Sequence, residues 1–278
     1  MVMGERICNL CMHRCRLNDG QTGRCRARKN ADGKVICGNY GKITSLALDP
    51  IEKKPLRKFF PGSRILSVGS YGCNLSCPFC QNHEISMKRE EEVQSVYISP
   101  QALCERALQM VPYGNIGVAF TYNEPMIGYE YVRDTARCCR EEGLKTAVVT
   151  NGSVFLEETE EIFPLIDAWN IDLKGFTEQY YRKLGGSLEI VKEFICRANE
   201  YGHVELTTLI VPGGNDKEEE MRAMASWIAS VDPEIVLHVT RFFPNWNMQD
   251  RGPTSVEQVY HLAETAGRYL ENVYTGNC

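Results

Sequence analysis

The chain has 278 residues, of which 43% are hydrophobic and 24% are charged, and its formal net charge is −5. This composition excludes a disordered or collagen-like chain and predicts a packed core, with room for one α/β barrel and a small appendage. The acidic balance argues against general nucleic-acid binding. The sequence shows no signal-peptide core and no apolar run of about 20 residues. We therefore expect a cytoplasmic protein with no nucleic-acid or membrane partner.

Thirteen cysteines are many for a protein of a reducing compartment, where clustered thiols bind metal more often than they form disulfides. Near the start of the chain, four thiols lie close together in sequence, at Cys8, Cys11, Cys15 and Cys25. They can complete a tetrahedral Zn site or hold a second Fe–S cluster, and the sequence does not decide between the two. We predict that residues 1–60 form a small metal-binding lobe.

From Arg64 onward, short apolar runs alternate with amphipathic segments, which is the pattern of repeating βα units around a parallel sheet. The predicted strands are 65–69, 116–121, 145–150, 168–172, 205–211 and 235–240. The predicted helices are 100–111, 128–142, 155–162, 177–183, 187–201, 217–231 and 254–271. Because a complete eight-fold barrel typically takes about 250 residues, these elements predict a partial (β/α)6 barrel over residues 61–250. A C-terminal helix and tail over residues 251–278 follow it.

Nearly every predicted strand ends in polar or glycine-containing sequence. The segments are GCNLSCPFC, TYNEP, TNG, DLKG and TRFFPNW. In barrels of this kind the chemistry collects at the carboxyl ends of the strands. We therefore expect the functional site at that rim.

The loop after the first barrel strand carries Cys73, Cys77 and Cys80 in a CxxxCxxC spacing. A structural Zn site usually has four protein ligands, and Fe–S clusters usually take four cysteines. A compact loop with three cysteines therefore leaves one coordination position open, where an iron can chelate a substrate. The alternative is a zinc knuckle or inert buried thiols.

This loop resembles the signature of the radical S-adenosylmethionine (SAM) superfamily. The resemblance implies that Cys73, Cys77 and Cys80 bind three irons of a [4Fe–4S] cluster, while the methionine amino and carboxylate groups of SAM chelate the fourth. It also implies that Phe79 packs near the adenine.

The TYNEP segment stands where radical SAM proteins commonly carry a glycine-rich motif that binds the SAM ammonium. Glu124 can accept a hydrogen bond from that group, and Asn123 can donate or accept one. Tyr-Asn replaces the glycines here, so the backbone contribution of the motif is not expected to be the same.

Two further strand ends resemble segments of glycyl-radical-activase-like enzymes: Thr150-Asn151-Gly152 and Asp172-Leu173-Lys174. The resemblance implies that Lys174 meets the SAM carboxylate and that the asparagine region faces the ribose. Thr150, Asn151, Asp172 and Lys174 are therefore predicted cofactor-binding residues.

Longer stretches resemble the radical SAM proteins of the AmmeMemoRadiSam system. They are the segment from Asp49 to Gly62, the cysteine-arginine segment from Cys8 to Arg28, and HVTRFFP at 238–244. This resemblance implies AMMECR-type and Memo-type partner proteins. Such relatives are often labelled as activases of pyruvate formate-lyase, which keeps a glycyl-radical enzyme open as the partner.

On the substrate side, His238 and Arg241 are predicted to orient an anionic or carbonyl-bearing substrate. The alternative is an aromatic core cluster with a paired arginine. Three hypotheses remain: a radical SAM enzyme that takes a hydrogen atom from an unidentified small molecule or partner protein, a glycyl-radical-enzyme activase, and a non-catalytic Fe–S or zinc protein. Both enzymatic hypotheses require an external reductant such as ferredoxin or flavodoxin.

Overall fold

The computed structural model describes residues 4–278. The N-terminal part of this range holds short antiparallel strands, which are too small to bury a core by themselves. The pairs are β1 (Arg6–Ile7) with β2 (Arg16–Leu17), β3 (Arg28–Ala31) with β4 (Lys34–Cys37), and β5 (Lys42–Ile43) with β8 (Val96–Tyr97). Leu10, Leu17 and Ala27 instead pack into the main core, together with residues of the barrel.

Within residues 4–278, the main sheet has eight strands in the order β14-β13-β12-β11-β10-β9-β7-β6. The strands are β6 (Ser45–Pro50), β7 (Arg64–Gly69), β9 (Asn115–Phe120), β10 (Lys145–Thr150), β11 (Ala168–Asp172), β12 (His203–Ile210), β13 (Val236–Arg241) and β14 (Val273–Gly276). Neighbours from β7 to β14 pair in parallel, whereas β6 is antiparallel to β7. The sheet is therefore an open, partial barrel.

Helices follow the parallel strands, as the βα pattern predicts. The α-helices of the described chain are α1 (His83–Ser86), α2 (Pro100–Gln109), α3 (Tyr129–Glu141), α4 (Leu156–Thr159), α5 (Glu178–Leu184), α6 (Leu188–Tyr201), α7 (Glu218–Val231) and α8 (Val256–Ala266). Short 3-10 helices lie at Ile51–Lys53, Glu90–Glu92, Val111–Tyr113, Pro125–Gly128 and Glu160–Leu165. Ser99 caps α2 by accepting a hydrogen bond from the N–H of Ala102, which satisfies one of the free donors of the first turn. No helix in residues 4–278 is both long and apolar enough to cross a membrane.

The partial α/β barrel predicted from the sequence is confirmed, and its six predicted strands are β7 and β9–β13. The sequence analysis missed β6 and β14, which flank them. Ser45–Pro50 ends in proline, and Val273–Gly276 has only four residues, all half-buried, so neither has the buried apolar run that marks a parallel strand. The sheet consequently extends beyond both limits of the segment 61–250.

The segment after β6 enters the barrel instead of running over its surface. Ile51, Leu56 and Phe59 are buried against inward-facing alanines of the strands. The side-chain amide of Asn170 donates to the carbonyl of Pro55 at 2.9 Å. We call residues 51–59 the inner segment. It forms one wall of the cavity described next.

Candidate functional site

A cavity of about 660 Å³ lies inside the barrel and reaches its C-terminal rim. It collects side chains from the ends of most parallel strands. The predicted site residues that line it are Cys73, Cys77, Phe79, Cys80, Asn123, Glu124, Asn151, Asp172, Lys174 and His238. Two other predicted residues, Thr150 and Arg241, do not line this cavity.

The three thiols of the loop after β7 are held in a shared, largely buried position. Gly72 has a φ of +86°, and a Cβ there would lie 2.5 Å from the carbonyl oxygen of Cys25, so only glycine fits this close approach. Burial raises the pKa of Cys77 to about 11 and that of Cys73 well above the ordinary value. Such thiols ionise only beside positive charge, which bound iron supplies. The donor set therefore fits an Fe–S cluster.

No three Cys, His, Asp or Glu side chains in residues 4–278 converge as they would around a single metal ion. A [4Fe–4S] cluster does not require such convergence, because each thiolate binds a different iron.

Glu124 is a buried carboxylate beside these thiols, and three donors hold it in place. The hydroxyl of Thr150 donates to it at 2.6 Å, and the backbone N–H groups of Asn151 and Met126 donate at 2.8 and 2.9 Å. Burial raises the pKa of Glu124 to about 7, with these hydrogen bonds opposing the rise. Thr150 therefore holds Glu124 by a hydrogen bond and does not line the cavity, whereas the sequence predicts that Thr150 contacts the cofactor.

The amide of Asn123 braces the cysteine loop. Its oxygen accepts from the N–H of Ser70 at 2.9 Å, and its nitrogen lies 3.2 Å from the carbonyl of Tyr71 and 3.3 Å from that of Gly72. These contacts occupy both ends of the amide. Asn123 therefore holds the loop in position, although the sequence pattern predicts that it contacts the cofactor.

Tyr122 adopts the left-handed backbone conformation, with a φ of +73°. This conformation normally favours glycine, which is the residue expected in this motif. The Tyr122 hydroxyl donates to Asp49 at 2.8 Å, and the Lys54 ammonium lies 4.5 Å from the ring centroid. These contacts hold the strained backbone, so the motif keeps its shape without the glycine.

We predict that Tyr122→Gly is more stable than Tyr122→Ala by about 1 kcal/mol, because both variants lose the side chain and only alanine retains the left-handed strain. Chemical denaturation of the two proteins under anaerobic conditions measures the difference. At a right-handed helical position the order is reversed, so Ala136, inside α3, is a control site for an Ala→Gly change. If Tyr122→Ala is as stable as Tyr122→Gly or more stable, the backbone at position 122 is not strained and the prediction is wrong.

Asp172 and Lys174 form an ion pair of 2.9 Å at the end of β11. Burial disfavours the charged lysine, but attraction to Asp172 and to Cys77 outweighs burial and raises the pKa of Lys174 above its ordinary value. Lys174 is therefore a fixed positive charge beside the thiols. That charge suits the carboxylate end of a ligand.

Of the two phenylalanines directly after β13, Phe242 packs in the protein interior and Phe243 is exposed. Phe79 and Phe242 meet edge to face with ring centroids 6.4 Å apart, and Phe242 is fully buried. Arg241 donates to the carbonyl of Thr254 at 2.7 Å, and its guanidinium lies over the ring of Phe243. Side chains alternate along a strand, so Arg241 points away from the cavity that His238 and Thr240 line. Its predicted substrate role is therefore wrong for this cavity.

The sequence analysis missed Glu205, on which His238 depends. Glu205 is fully buried inside the barrel and accepts a hydrogen bond from His238 Nε2 at 2.5 Å. A signal was present in the sequence, because HVELTTLI places one acidic residue within an otherwise apolar and hydroxyl-bearing strand. Buried carboxylates of this kind are rare unless they are paired.

The N-terminal cysteine segment contacts the cysteine loop of the barrel through Cys25. Backbone N–H groups point at two of its sulfurs, from Arg24 to Cys15 and from Arg28 to Cys25, both at 3.4 Å. The N–H of Cys73 donates to the carbonyl of Cys25 at 3.1 Å. Burial raises the pKa of Cys11 to about 12, and the neighbouring thiols add to the rise. Burial also raises the pKa of Cys25, so Cys11 and Cys25 need a nearby cation to ionise.

Comparison with known proteins agrees with this geometry. The chain is 34% identical over 288 residues to the uncharacterized protein MJ0808 of Methanocaldococcus jannaschii, covering 98% of this chain and 85% of that protein. It is 26% identical over 175 residues to pyruvate formate-lyase 1-activating enzyme of Escherichia coli strain K12, covering 60% of this chain and 69% of that enzyme.

Among solved structures, SuiB of Streptococcus suis matches with a TM-score of 0.61 at 15% sequence identity, over 76% of this chain and 48% of that one. This likeness shows a shared fold. The family model of the Radical SAM superfamily matches residues 67–228, which include the cysteine loop and the strand ends around the cavity. The chain therefore belongs to the radical SAM superfamily.

Proposed function

We propose that the chain is an oxidoreductase-type radical SAM enzyme of the AmmeMemoRadiSam type, working in a reducing, cytoplasmic compartment. The observation that carries the proposal is one cavity lined by the thiols of Cys73, Cys77 and Cys80, the carboxylate of Glu124 and the Asp172–Lys174 pair. When bound, the [4Fe–4S] cluster and SAM supply a one-electron cleavage that gives methionine and a 5′-deoxyadenosyl radical, which takes a hydrogen atom from the substrate.

The chain's own residues hold the ligand for this chemistry. Cys73, Cys77 and Cys80 bind the irons. Glu124 accepts from the ammonium of SAM with one of the lone-pair positions that its three donors leave open. Lys174 attracts the SAM carboxylate, and Phe79 packs beside the adenine. Fixing these groups in one geometry is the protein's main contribution to catalysis.

We further propose that Cys8, Cys11, Cys15 and Cys25 bind a second metal centre, either an Fe–S cluster or Zn, for which the four sulfurs would have to draw together around one ion. The support is the burial of three of these thiols and the N–H groups directed at two sulfurs. A ferredoxin or flavodoxin is the proposed reductant. AMMECR-type and Memo-type proteins are the proposed partners.

A second candidate is activation of a glycyl-radical enzyme, in which the hydrogen donor is a backbone glycine. The similarity to pyruvate formate-lyase 1-activating enzyme favours it. That similarity spans 60% of this chain, whereas the match to MJ0808 spans 98%. We therefore place the activase second.

We expect the anaerobically reconstituted protein, given SAM and dithionite, to release 5′-deoxyadenosine, because the proposed cluster ligands and the proposed SAM contacts line one cavity. Chromatography measures the product, and iron and zinc counts identify the second centre. A cluster-loaded, reduced protein that neither binds SAM nor forms 5′-deoxyadenosine contradicts the proposal and supports a non-catalytic Fe–S or zinc protein. If a peptide from a glycyl-radical enzyme is added and acquires a glycyl radical, that result favours the activase function.

A further inference from the structure

Glu205 is the centre of a hydrogen-bond cluster inside the barrel. It accepts from Nε2 of His238 at 2.5 Å and Nε2 of His203 at 2.9 Å, and from the backbone N–H groups of Arg57 at 2.9 Å and Lys58 at 2.7 Å. Four donors on one fully buried carboxylate stabilise its ionised form. Glu205 is therefore a fixed anion that connects β12, β13 and the inner segment.

The first group that Glu205 orients is the imidazole of His238. Because the carboxylate only accepts, Nε2 of His238 carries the proton in this contact. Among residues 4–278, Nδ1 of His238 makes no hydrogen bond, and His238 lines the cavity. The remaining ring nitrogen, Nδ1, is thus an acceptor that is available to a hydrogen-bond donor of a ligand.

The second group is Arg57, whose backbone Glu205 fixes. The Arg57 guanidinium carbon lies 4.8 Å from the ring centroid of Tyr274, and both residues line the cavity. Within the described part of the chain, no protein acceptor bonds this guanidinium, so its five N–H donors remain open. A guanidinium against an aromatic face, with its donors free, suits a carboxylate or phosphate.

The acidic groups on the cavity side of Arg57 are already engaged. Asp49 pairs with Lys54 at 2.9 Å, Glu205 is held as described, and Glu52 accepts from the N–H of Gly62 at 2.7 Å. Arg57 is exposed and also borders an adjoining surface cleft, which is lined by Glu257, Glu264 and Glu271. In the structure of residues 4–278, no carboxylate forms an ion pair with the Arg57 guanidinium, so it can turn its donors to an anion in the cavity.

This wall lies across the sheet from the proposed contact with the SAM carboxylate. Asp172 of β11 pairs with Thr207 of β12, and Thr207 pairs with His238 of β13. His238 therefore lies two strand spacings, about 10 Å, from Asp172, which pairs with Lys174. An anion at Arg57, beside His238, is separate from the SAM carboxylate at Lys174.

We infer that Arg57 binds an anionic group of the substrate, a carboxylate or phosphate of a small molecule, that Nδ1 of His238 accepts a hydrogen bond from a donor on the same molecule, and that Glu205 is the positioning residue for both. The inference rests on the proposed function, because it assigns the substrate class of the same cavity. It favours a small anionic substrate over a glycyl backbone, which has no such charge.

The test uses the holoenzyme with saturating SAM under anaerobic conditions, titrated calorimetrically with inorganic phosphate and separately with succinate. We expect at least one of these two anions to bind, and Arg57→Gln to weaken it by about tenfold or more, since a hydrogen bond to a charged group contributes about 1.5–3 kcal/mol. Arg140→Gln, an exposed change in the last turn of α3, is the matched control and leaves the affinity unchanged. Both variants keep the wild-type affinity for SAM.

Binding of SAM without binding of either anion overturns the inference alone, as does an Arg57→Gln variant with wild-type anion affinity. A holoenzyme that binds no SAM refutes the proposed function, and the inference fails with it. For Glu205, a double-mutant cycle with Glu205→Gln and His238→Gln separates positioning from general packing. Non-additive losses of anion affinity support the positioning role, and additive losses overturn it.

Discussion

Replacing Cys77 by alanine is expected to reduce 5′-deoxyadenosine formation by more than about a hundredfold, because the loss of an outer partner of a metal ligand already lowers metal affinity or activity 10–100-fold. The buried Cys77 thiol is one of the three that line the cavity, and its position near Lys174 places it at the proposed SAM carboxylate. The measurement is product formation together with bound iron, after identical anaerobic reconstitution.

Cys196→Ala provides the control, because Cys196 is an exposed thiol on α6. We expect it to retain both the iron content and the product yield of the wild type. The Cys77→Ala protein is also expected to keep any metal bound by the N-terminal cysteines, so the residual metal count identifies that centre. Undiminished product formation by Cys77→Ala excludes Cys73, Cys77 and Cys80 as the cluster site.

The barrel is predictable from the sequence because its signals are local. Each of the six predicted parallel strands is mostly buried, and each is followed by polar or glycine residues at the same edge of the sheet. The rim residues could therefore be named before the fold was known, and ten of them line one cavity. Arg241 does not line the cavity because His238 and Thr240 are the residues of β13 that face inward. The sequence alone did not show which alternate residues of this strand face the cavity.

The inner wall of the cavity depends on contacts between residues far apart in the chain. Glu205 accepts hydrogen bonds from the backbone N–H groups of Arg57 and Lys58, which lie 148 and 147 positions earlier in the chain. No periodicity in either segment predicts that pairing. The same holds for Lys54, which the sequence shows beside Lys53 as an ordinary charged pair, but which is buried against Asp49 and Tyr122. Residues that act through the backbone of a distant segment leave little local signal.

The buried carboxylate also predicts how stability depends on pH. Burial alone disfavours ionisation of Glu205, but hydrogen bonds from His203, His238, Arg57 and Lys58 lower its pKa from 4.5 to about 2. A carboxyl whose pKa falls on folding stabilises the native state fully above its unfolded pKa. That contribution is lost as pH falls through the folded value, so the window is about pH 4.5 to about 2. The shift corresponds to about 3 kcal/mol.

We therefore expect Glu205→Gln to lower the free energy of unfolding at pH 7 by about 3 kcal/mol, since breaking a buried pair costs about 3–5 kcal/mol. The difference in the free energy of unfolding between the variant and the wild type should narrow as pH falls below about 4.5, because protonation of Glu205 removes the same interaction from the wild type. Urea unfolding of both proteins at a series of pH values measures the gap. Glu219→Gln, an exposed change on α7, should give a small gap at every pH. A gap for Glu205→Gln that stays constant down to about pH 3 would show that Glu205 stabilises the barrel by shape and not by its charge.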